Sequence, residues 1–189
     1  MKIVVAGTGA SGALYLQRLL DMLGENGGVE THLVLTDCAR EVIATELGEL
    51  RTAAAHRTYD NSTMTAPFAS GSAVFDAMVV VPCSMGMLGR IAHGVSDSLI
   101  ARAADVFLKE RRKLILVPRE TPWNLIHARN AATLIEAGAV VLPASPSFYL
   151  RPQTVTDVAD TVVWRILDQL EIPVPSVQRW GEDTLARIQ

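Results

Sequence analysis

A chain of 189 residues that is 49% hydrophobic and 20% charged, with a formal net charge of -3, is long enough to bury roughly 70% of its unfolded surface in one domain. Disorder is excluded, because it needs few apolar residues and a large charge imbalance. A membrane span is not expected either: the best apolar runs, residues 77–82 and 114–118, are far shorter than the about 20 residues such a helix requires.

The chain begins Met1-Lys2 and enters a first aliphatic strand at residues 2–6. So short an apolar run before glycines is not expected to be a signal peptide. Gly7-Thr8-Gly9-Ala10-Ser11-Gly12 follows and opens a helix at residues 10–23. That spacing fits G-x-G-x-x-G, whose glycines let the chain turn tightly and approach a phosphate on the helix N-terminus. A second strand at 31–35 ends at Thr36-Asp37, about where a dinucleotide fold places its ribose-binding acid. Three readings stand at this point: a turn that uses glycine for geometry alone, a nicotinamide dehydrogenase, and a site for a flavin or single phosphate, which the Ser11 hydroxyl suits as readily as a pyrophosphate. A helix is expected at 37–47. Cys38 and Cys83 show neither paired nor metal-ligand spacing, which suits a reducing cytoplasm.

Residues 48–72 are polar and rich in small side chains, an irregular stretch of the length that functional loops have. A third strand at 78–81 runs into Pro82-Cys83-Ser84-Met85-Gly86-Met87. Proline ends strand pairing, and the small residues expose backbone N–H groups at the carboxyl edge of the sheet, where open α/β folds bind ligands. Cys83 reads either as a nucleophile or as a small buried apolar residue. A helix at 96–109 carries Arg102 and ends in Lys109-Glu110-Arg111-Arg112-Lys113. Those cations complement the helix dipole and face water in one reading, and hold a phosphate in the other.

After a fourth strand at 114–117, Arg119-Glu120-Thr121-Pro122 again lies at the carboxyl edge. Arg119 can fork onto a phosphate while Glu120 accepts a proton, or the two form a surface ion pair. Thr121 as N-cap and Pro122 at the first helical position open a helix at 122–137, which Gly138 stops. A fifth strand at 140–142 leads to Phe148-Tyr149-Leu150-Arg151-Pro152. The last helix, at 156–170, aligns Val155, Val158, Ala159, Val162, Val163, Ile166, Leu167 and Leu170 on one face, with Arg165 beside the stripe. The tail from about residue 172, with Pro173 and Pro175, is expected to dock on a neighbouring subunit. His32, His56, His93 and His127 have no metal-ligand or triad spacing, so no metal is expected.

Aliphatic strands alternating with helices predict a parallel sheet buried on both faces, with right-handed crossovers, in a single α/β domain over residues 1–189. A pI near 5.8 gives no electrostatic case for nucleic acid. The mean hydropathy of +0.25 coexists with only 5% aromatic residues, so the apolarity resides in Ala, Val, Leu and Ile. A close-packed core accounts for part of it, and a buried interface is expected to take the rest.

Taken together, the motifs resemble the flavin prenyltransferase family of the UbiX type. The resemblance rests on Gly9-Ala10-Ser11-Gly12, Ala69-Ser70-Gly71-Ser72, Pro82-Cys83-Ser84, Arg102-Ala103-Ala104-Asp105-Val106, Leu108-Lys109-Glu110-Arg111-Arg112, Val117-Pro118-Arg119-Glu120-Thr121-Pro122 and Phe148-Tyr149, in that order along essentially the whole chain. It implies a Rossmann-like or flavodoxin-like sheet with helices on both faces, assembled into a homo-oligomer, typically a dodecamer, with sites at subunit interfaces. It also implies a reaction: reduced FMN is alkylated at N5 by dimethylallyl monophosphate, phosphate departs, and the chain closes onto C6. The prenylated FMN then serves UbiD-type decarboxylases.

By position, the resemblance implies that Gly9, Ala10, Ser11, Thr36, Ser84, Met85, Gly86, Met87 and Arg119 hold FMN. Tyr149, Arg165, Lys109 and Arg102, the last drawn from an adjacent subunit, surround the allyl phosphate. Expelling phosphate without a metal needs such fixed positive charge. Ser11, Glu46, Arg102, Lys109 and Glu120 are the implied catalytic set: Glu120 moves the proton to or from phosphate and later from flavin C6, Ser11 joins the relay, and Glu46 completes the polar cage. Met64 would line the prenyl pocket. Two other readings are a flavin-dependent cysteine decarboxylase, whose carboxylate substrate needs fewer cations, and an FMN carrier without chemistry.

Overall fold

Ile3, Val4, Val5 and Ala6 are wholly buried, as a strand covered on both faces requires. The computed structural model, which describes residues 1–174, places them in β1 (Lys2–Gly7) at the middle of a six-stranded parallel sheet. The other strands are β2 (Glu30–Leu35), β3 (Arg57–Asp60), β4 (Ala77–Cys83), β5 (Lys113–Pro118) and β6 (Val140–Val141). Their order is β3-β2-β1-β4-β5-β6. The chain therefore builds outward from β1, crosses back, and builds outward again from β4. The boundary between β1 and β4, in register from Ile3 opposite Ala77 to Ala6 opposite Val80, is a topological switch point. The crevice beyond its carboxyl ends is where such sheets take ligands.

Among the described residues six α-helices cover the sheet: α1 (Ala13–Glu25), α2 (Asp37–Glu46), α3 (Met85–Ala92), α4 (Leu99–Lys109), α5 (Leu125–Glu136) and α6 (Val155–Gln169). Successive strand side chains point to opposite faces, which divides the core in two. Ile3 and Val5 pack with Leu16, Leu20 and Ile166 under α1 and α6. Val4 and Ala6 pack with Phe68, Leu88 and Phe107 under α3, α4 and a short 3-10 helix, Pro67–Ala69. The parallel, doubly covered α/β sheet expected from the aliphatic runs is the one observed. No helix among the described residues is long and apolar enough to cross a membrane.

Four local expectations are corrected. Residues 48–72 are not irregular throughout, because β3 lies within them; it is an edge strand in which only Tyr59 is buried, so no aliphatic run announces it. The segment after Cys83 continues as α3, capped by the Ser84 hydroxyl, which accepts the Met87 N–H at 3.3 Å. Thr121 does not cap α5. That helix opens three residues later on Asn124, whose side chain accepts the His127 N–H at 2.9 Å while the His127 ring faces the Asn124 N–H at 3.4 Å. Val155, assigned to the buried face of α6, is 76% exposed at its first position. Ile172 is buried in the core; the docking expected of the tail lies otherwise on residues 175–189, outside the described residues.

Candidate functional site

Three turns meet at the carboxyl edge of the switch point: those following β1, β4 and β5. In the first, Gly9 lies against α2, where an added Cβ would come within 2.5 Å of Cys38 Cβ, and Gly12 adopts a φ of 115°. Both positions therefore require glycine. Ser11 is exposed between them.

The N-terminus of α1 does not stand open. Glu46, the last residue of α2, accepts the Gly12 N–H at 3.0 Å and the Ala13 N–H at 2.8 Å. The carboxylate thus takes the donors on which a dinucleotide pyrophosphate would rest, and adds a like charge there. This removes the geometric basis of the nicotinamide reading. Asp37, its proposed ribose ligand, sits in the first turn of α2, where it complements the helix dipole. Burial alone would raise the Glu46 pKa, but hydrogen bonds from the Ser11 hydroxyl and from the Gly12 and Ala13 N–H groups, with the charge of Arg119, hold it below the usual carboxylate range. Glu46 is therefore an anion at neutral pH. Because Ser11 donates its proton to Glu46, its oxygen keeps lone pairs to accept a bond from a ligand.

In the second turn, burial pushes the Cys83 thiol up to about 12, so Cys83 is a buried apolar group and not a nucleophile. Met85 and Met87 bury their side chains in the core, which leaves their backbone to a ligand, with Gly86 exposed between them. Thr36 caps α2, its hydroxyl accepting the Ala39 N–H at 3.0 Å.

In the third turn, Arg119 and Glu120 are exposed and do not pair with each other, contrary to the ion-pair reading; Glu120 instead accepts the Thr121 N–H at 2.9 Å. They line a cavity of about 630 Å³ with Trp123 and residues 143–146, within the roughly 300–1,000 Å³ of small-molecule sites. Tyr15 joins this region: burial raises its pKa and the Arg119 charge opposes the rise. Sequence reasoning passed over Tyr15 and Thr8. Tyr15 was findable by its position one helical turn beyond Ser11.

The expected phosphate cluster lies elsewhere. Arg102 donates to the Ala69 carbonyl at 3.0 Å and to Asp105 at 2.8 Å. Lys109 pairs with Glu110 beside Gly71. Arg112 donates to the Gly71 and Ala73 carbonyls, each at 2.7 Å. The segment these groups hold, residues 69–73, lies beside a second cavity of about 410 Å³, lined by Met64, Thr65, Pro67, Ser70, Ser72 and Ala73 among others. Lys109 precedes β5 and Glu120 follows it, and the six residues Lys113–Pro118 set the two edges roughly 17 Å apart. One chain does not bring its own Lys109 to its own Glu120. Arg165 is exposed on α6 and bonds Asp168 at 2.8 Å. Tyr149 is 75% exposed in the segment after β6, which is tied to α6 where the Ser147 N–H meets Thr161 at 3.1 Å.

The arrangement suits a phosphate-bearing flavin: the Arg119 guanidinium, the hydroxyl of Ser11 and the first turn of α3, where Gly86 is exposed, surround the switch point, and the Glu46 anion is compensated by hydrogen bonds from Ser11, Gly12 and Ala13. Comparison with known proteins agrees. The Flavoprotein family matches residues 1–167. A probable UbiX-like flavin prenyltransferase of Streptomyces sp. (strain D7) is 48% identical over 99% of this chain and 95% of its own length. The crystal structure of a dodecameric FMN-dependent UbiX-like decarboxylase from Escherichia coli O157:H7 superposes with a TM-score of 0.93 at 42% identity, covering 96% of this chain and all of the other. AnUbiX (PadA1), solved in complex with FMN and dimethylallyl pyrophosphate, gives 0.91 at 42% identity over 95% of this chain and 97% of its own. The FMN-dependent cysteine decarboxylase TvaF, from thioviridamide biosynthesis, shares the fold alone, at 21% identity and a TM-score of 0.61 over 87% of this chain and 98% of its own.

Proposed function

The chain belongs to the flavin prenyltransferases of the UbiX type, and from that membership we propose that it joins the dimethylallyl group of dimethylallyl monophosphate to N5 and C6 of reduced FMN. The observation that carries the proposal is the convergence of Ser11, Glu46, Arg119 and Glu120 at the switch point, beside a cavity of ligand size. Reduced FMN supplies the nucleophilic N5 and C6 that take the C5 unit.

Everything else is the work of the protein's own groups. Gly9, Ala10, Thr36 and the Ser84–Met87 turn shape the flavin site, and Arg119 balances its negative charge. Ser11 is held by Glu46 with its oxygen as an acceptor, the right polarity for an N–H of a reduced ring. Glu120, exposed at the cavity wall, moves the proton at the leaving phosphate. Arg102, Lys109, Tyr149 and Arg165 gather that phosphate. The Arg165–Asp168 pair is a surface contact worth little, so a phosphate dianion can displace it.

The separation of Lys109 from Glu120 supports a site shared between copies, and we assign the missing cations of each cleft to a neighbouring subunit. A homo-oligomer, taken here as a dodecamer like the Escherichia coli neighbour, would also cover the exposed apolar stripe of α5, where Leu125 and Ile126 are 63% and 65% exposed. That is where the surplus aliphatic composition goes. The product would pass to a UbiD-type decarboxylase in the cytoplasm, where the free thiols of Cys38 and Cys83 are stable.

The test is Glu120→Gln. It should keep FMN binding and lose about two to four orders of magnitude in turnover, as removal of a general acid–base group does. Undiminished turnover would remove Glu120 from the chemistry, and loss of FMN binding would make it a ligand instead.

A further inference from the structure

Thr8 is 2% exposed, and its hydroxyl both donates and accepts. It donates to the Pro82 carbonyl at 2.8 Å and accepts the Ser84 N–H at 2.8 Å, while the Thr8 N–H also donates to the Pro82 carbonyl at 3.2 Å. These bonds begin where the sheet stops holding β1 to β4. The pairing of the two strands ends at Ala6 opposite Val80, and between Val80 and Cys83 the register of β4 with β5 on its other side shifts as well. Beyond that point the turn after β1 and the turn that opens α3 are joined by Thr8.

We infer that Thr8 is a positioning residue for flavin: one buried hydroxyl sets the spacing between the Gly9–Gly12 turn and the Ser84–Met87 turn. The inference rests on the reading that these two turns hold FMN. The side chain suits the task because its hydroxyl is both donor and acceptor. Ser84 has a double role here. Its N–H is fixed by Thr8, and its own hydroxyl caps α3 on Met87, so displacement of Ser84 moves the first turn of α3 with it. Without the hydroxyl, the Ser84 N–H loses this acceptor in a part-buried setting, and the turn must shift to find another.

Thr8→Val keeps the shape and removes the hydroxyl; Thr8→Ser keeps the hydroxyl. Thr31→Val is the control, since the Thr31 hydroxyl is buried with no partner among the described residues. FMN titration of the full chain, with steady-state kinetics on reduced FMN and dimethylallyl monophosphate, reads the outcome. Thr8→Val should weaken FMN binding about tenfold and raise the KM for reduced FMN alike. Its kcat at saturating flavin and its KM for the allyl phosphate should stay within about twofold, as should every constant of Thr8→Ser and Thr31→Val. A merely structural role would lower kcat or raise both KM values together.

Wild-type affinity for FMN in Thr8→Val overturns the inference, and so does a loss in Thr8→Ser equal to that in Thr8→Val. If Thr8→Val does not fold, Thr8→Ser decides alone: retained FMN affinity supports the role of the hydroxyl, and a tenfold loss overturns it. A wild-type chain that binds no FMN overturns the flavin reading itself, which the titration separates from a failure of Thr8.

Discussion

Replacing Glu46 by alanine tests the most unusual feature of the site, a helix N-terminus closed by an acid from the end of the following helix. The carboxylate accepts the Gly12 and Ala13 N–H groups, so its loss uncaps α1, at a cost of about 1 kcal/mol. It also removes a negative charge from the positive end of the dipole, worth about 0.5 kcal/mol at a site this open to water. For a chain of this length each kcal/mol moves Tm by about 2–4 °C, so Glu46→Ala should melt about 3–6 °C below the parent at neutral pH. Glu46→Gln, which keeps one accepting oxygen, should fall between. The pH dependence follows from the lowered pKa of Glu46. A depressed carboxylate contributes stability that is present above its unfolded pKa and is lost as pH falls through the folded one. The gap between parent and Glu46→Ala should therefore close as pH drops below about 4. Thermal melts across that range decide it: a gap that persists unchanged in acid, or no gap at neutral pH, would refute the capping argument.

Three further outcomes are expected. Asn124→Ala should destabilise the chain by about 1 kcal/mol because it removes the cap of α5, while Thr121→Ala should cost no more than a few tenths; chemical denaturation of the two variants compares them directly. Glu120→Gln should leave the flavin fluorescence titration unchanged while turnover collapses, with the loss in kcat rather than in the affinity for FMN. Lys109→Ala and Glu120→Gln chains should each be nearly inactive alone. Unfolded together and refolded as mixed oligomers, they should regain activity in about a quarter of the sites, since each site then draws its two residues independently from different copies. No recovery on mixing would place both residues in one chain's site.

The strands of the sheet interior were legible because burial on both faces leaves an uninterrupted aliphatic run, as in Ile3, Val4 and Val5. β3 was not, since an edge strand with only Tyr59 turned inward has no such run. α3 was hidden by brevity and by Gly86 and Gly89 within eight residues, which read locally as a loop. At α5 the Thr121-Pro122 pair imitates a helix start, but the cap is made by Asn124 with His127, a pairing whose second member is an uncommon one. The cleft was legible in part for a topological reason: residues that directly follow parallel strands share the carboxyl edge, which brings Ser11, Ser84 and Arg119 together without any tertiary calculation. Thr8 was not, because its partners lie 74 and 76 residues away, and a threonine among glycines reads as a spacer. The phosphate cluster was legible as chemistry but not as geometry. Lys109 and Glu120 are neighbours in sequence, and the intervening strand carries them to opposite edges of the sheet.

The central claim is the transfer itself, and mass spectrometry of the flavin tests it most directly. The protein is incubated anaerobically with FMN, dithionite and dimethylallyl monophosphate, and the flavin is then released and weighed. One added C5H8 unit on FMN, with release of phosphate, is the predicted result. Only unmodified FMN, under conditions in which a UbiX-type relative forms the adduct, would contradict it.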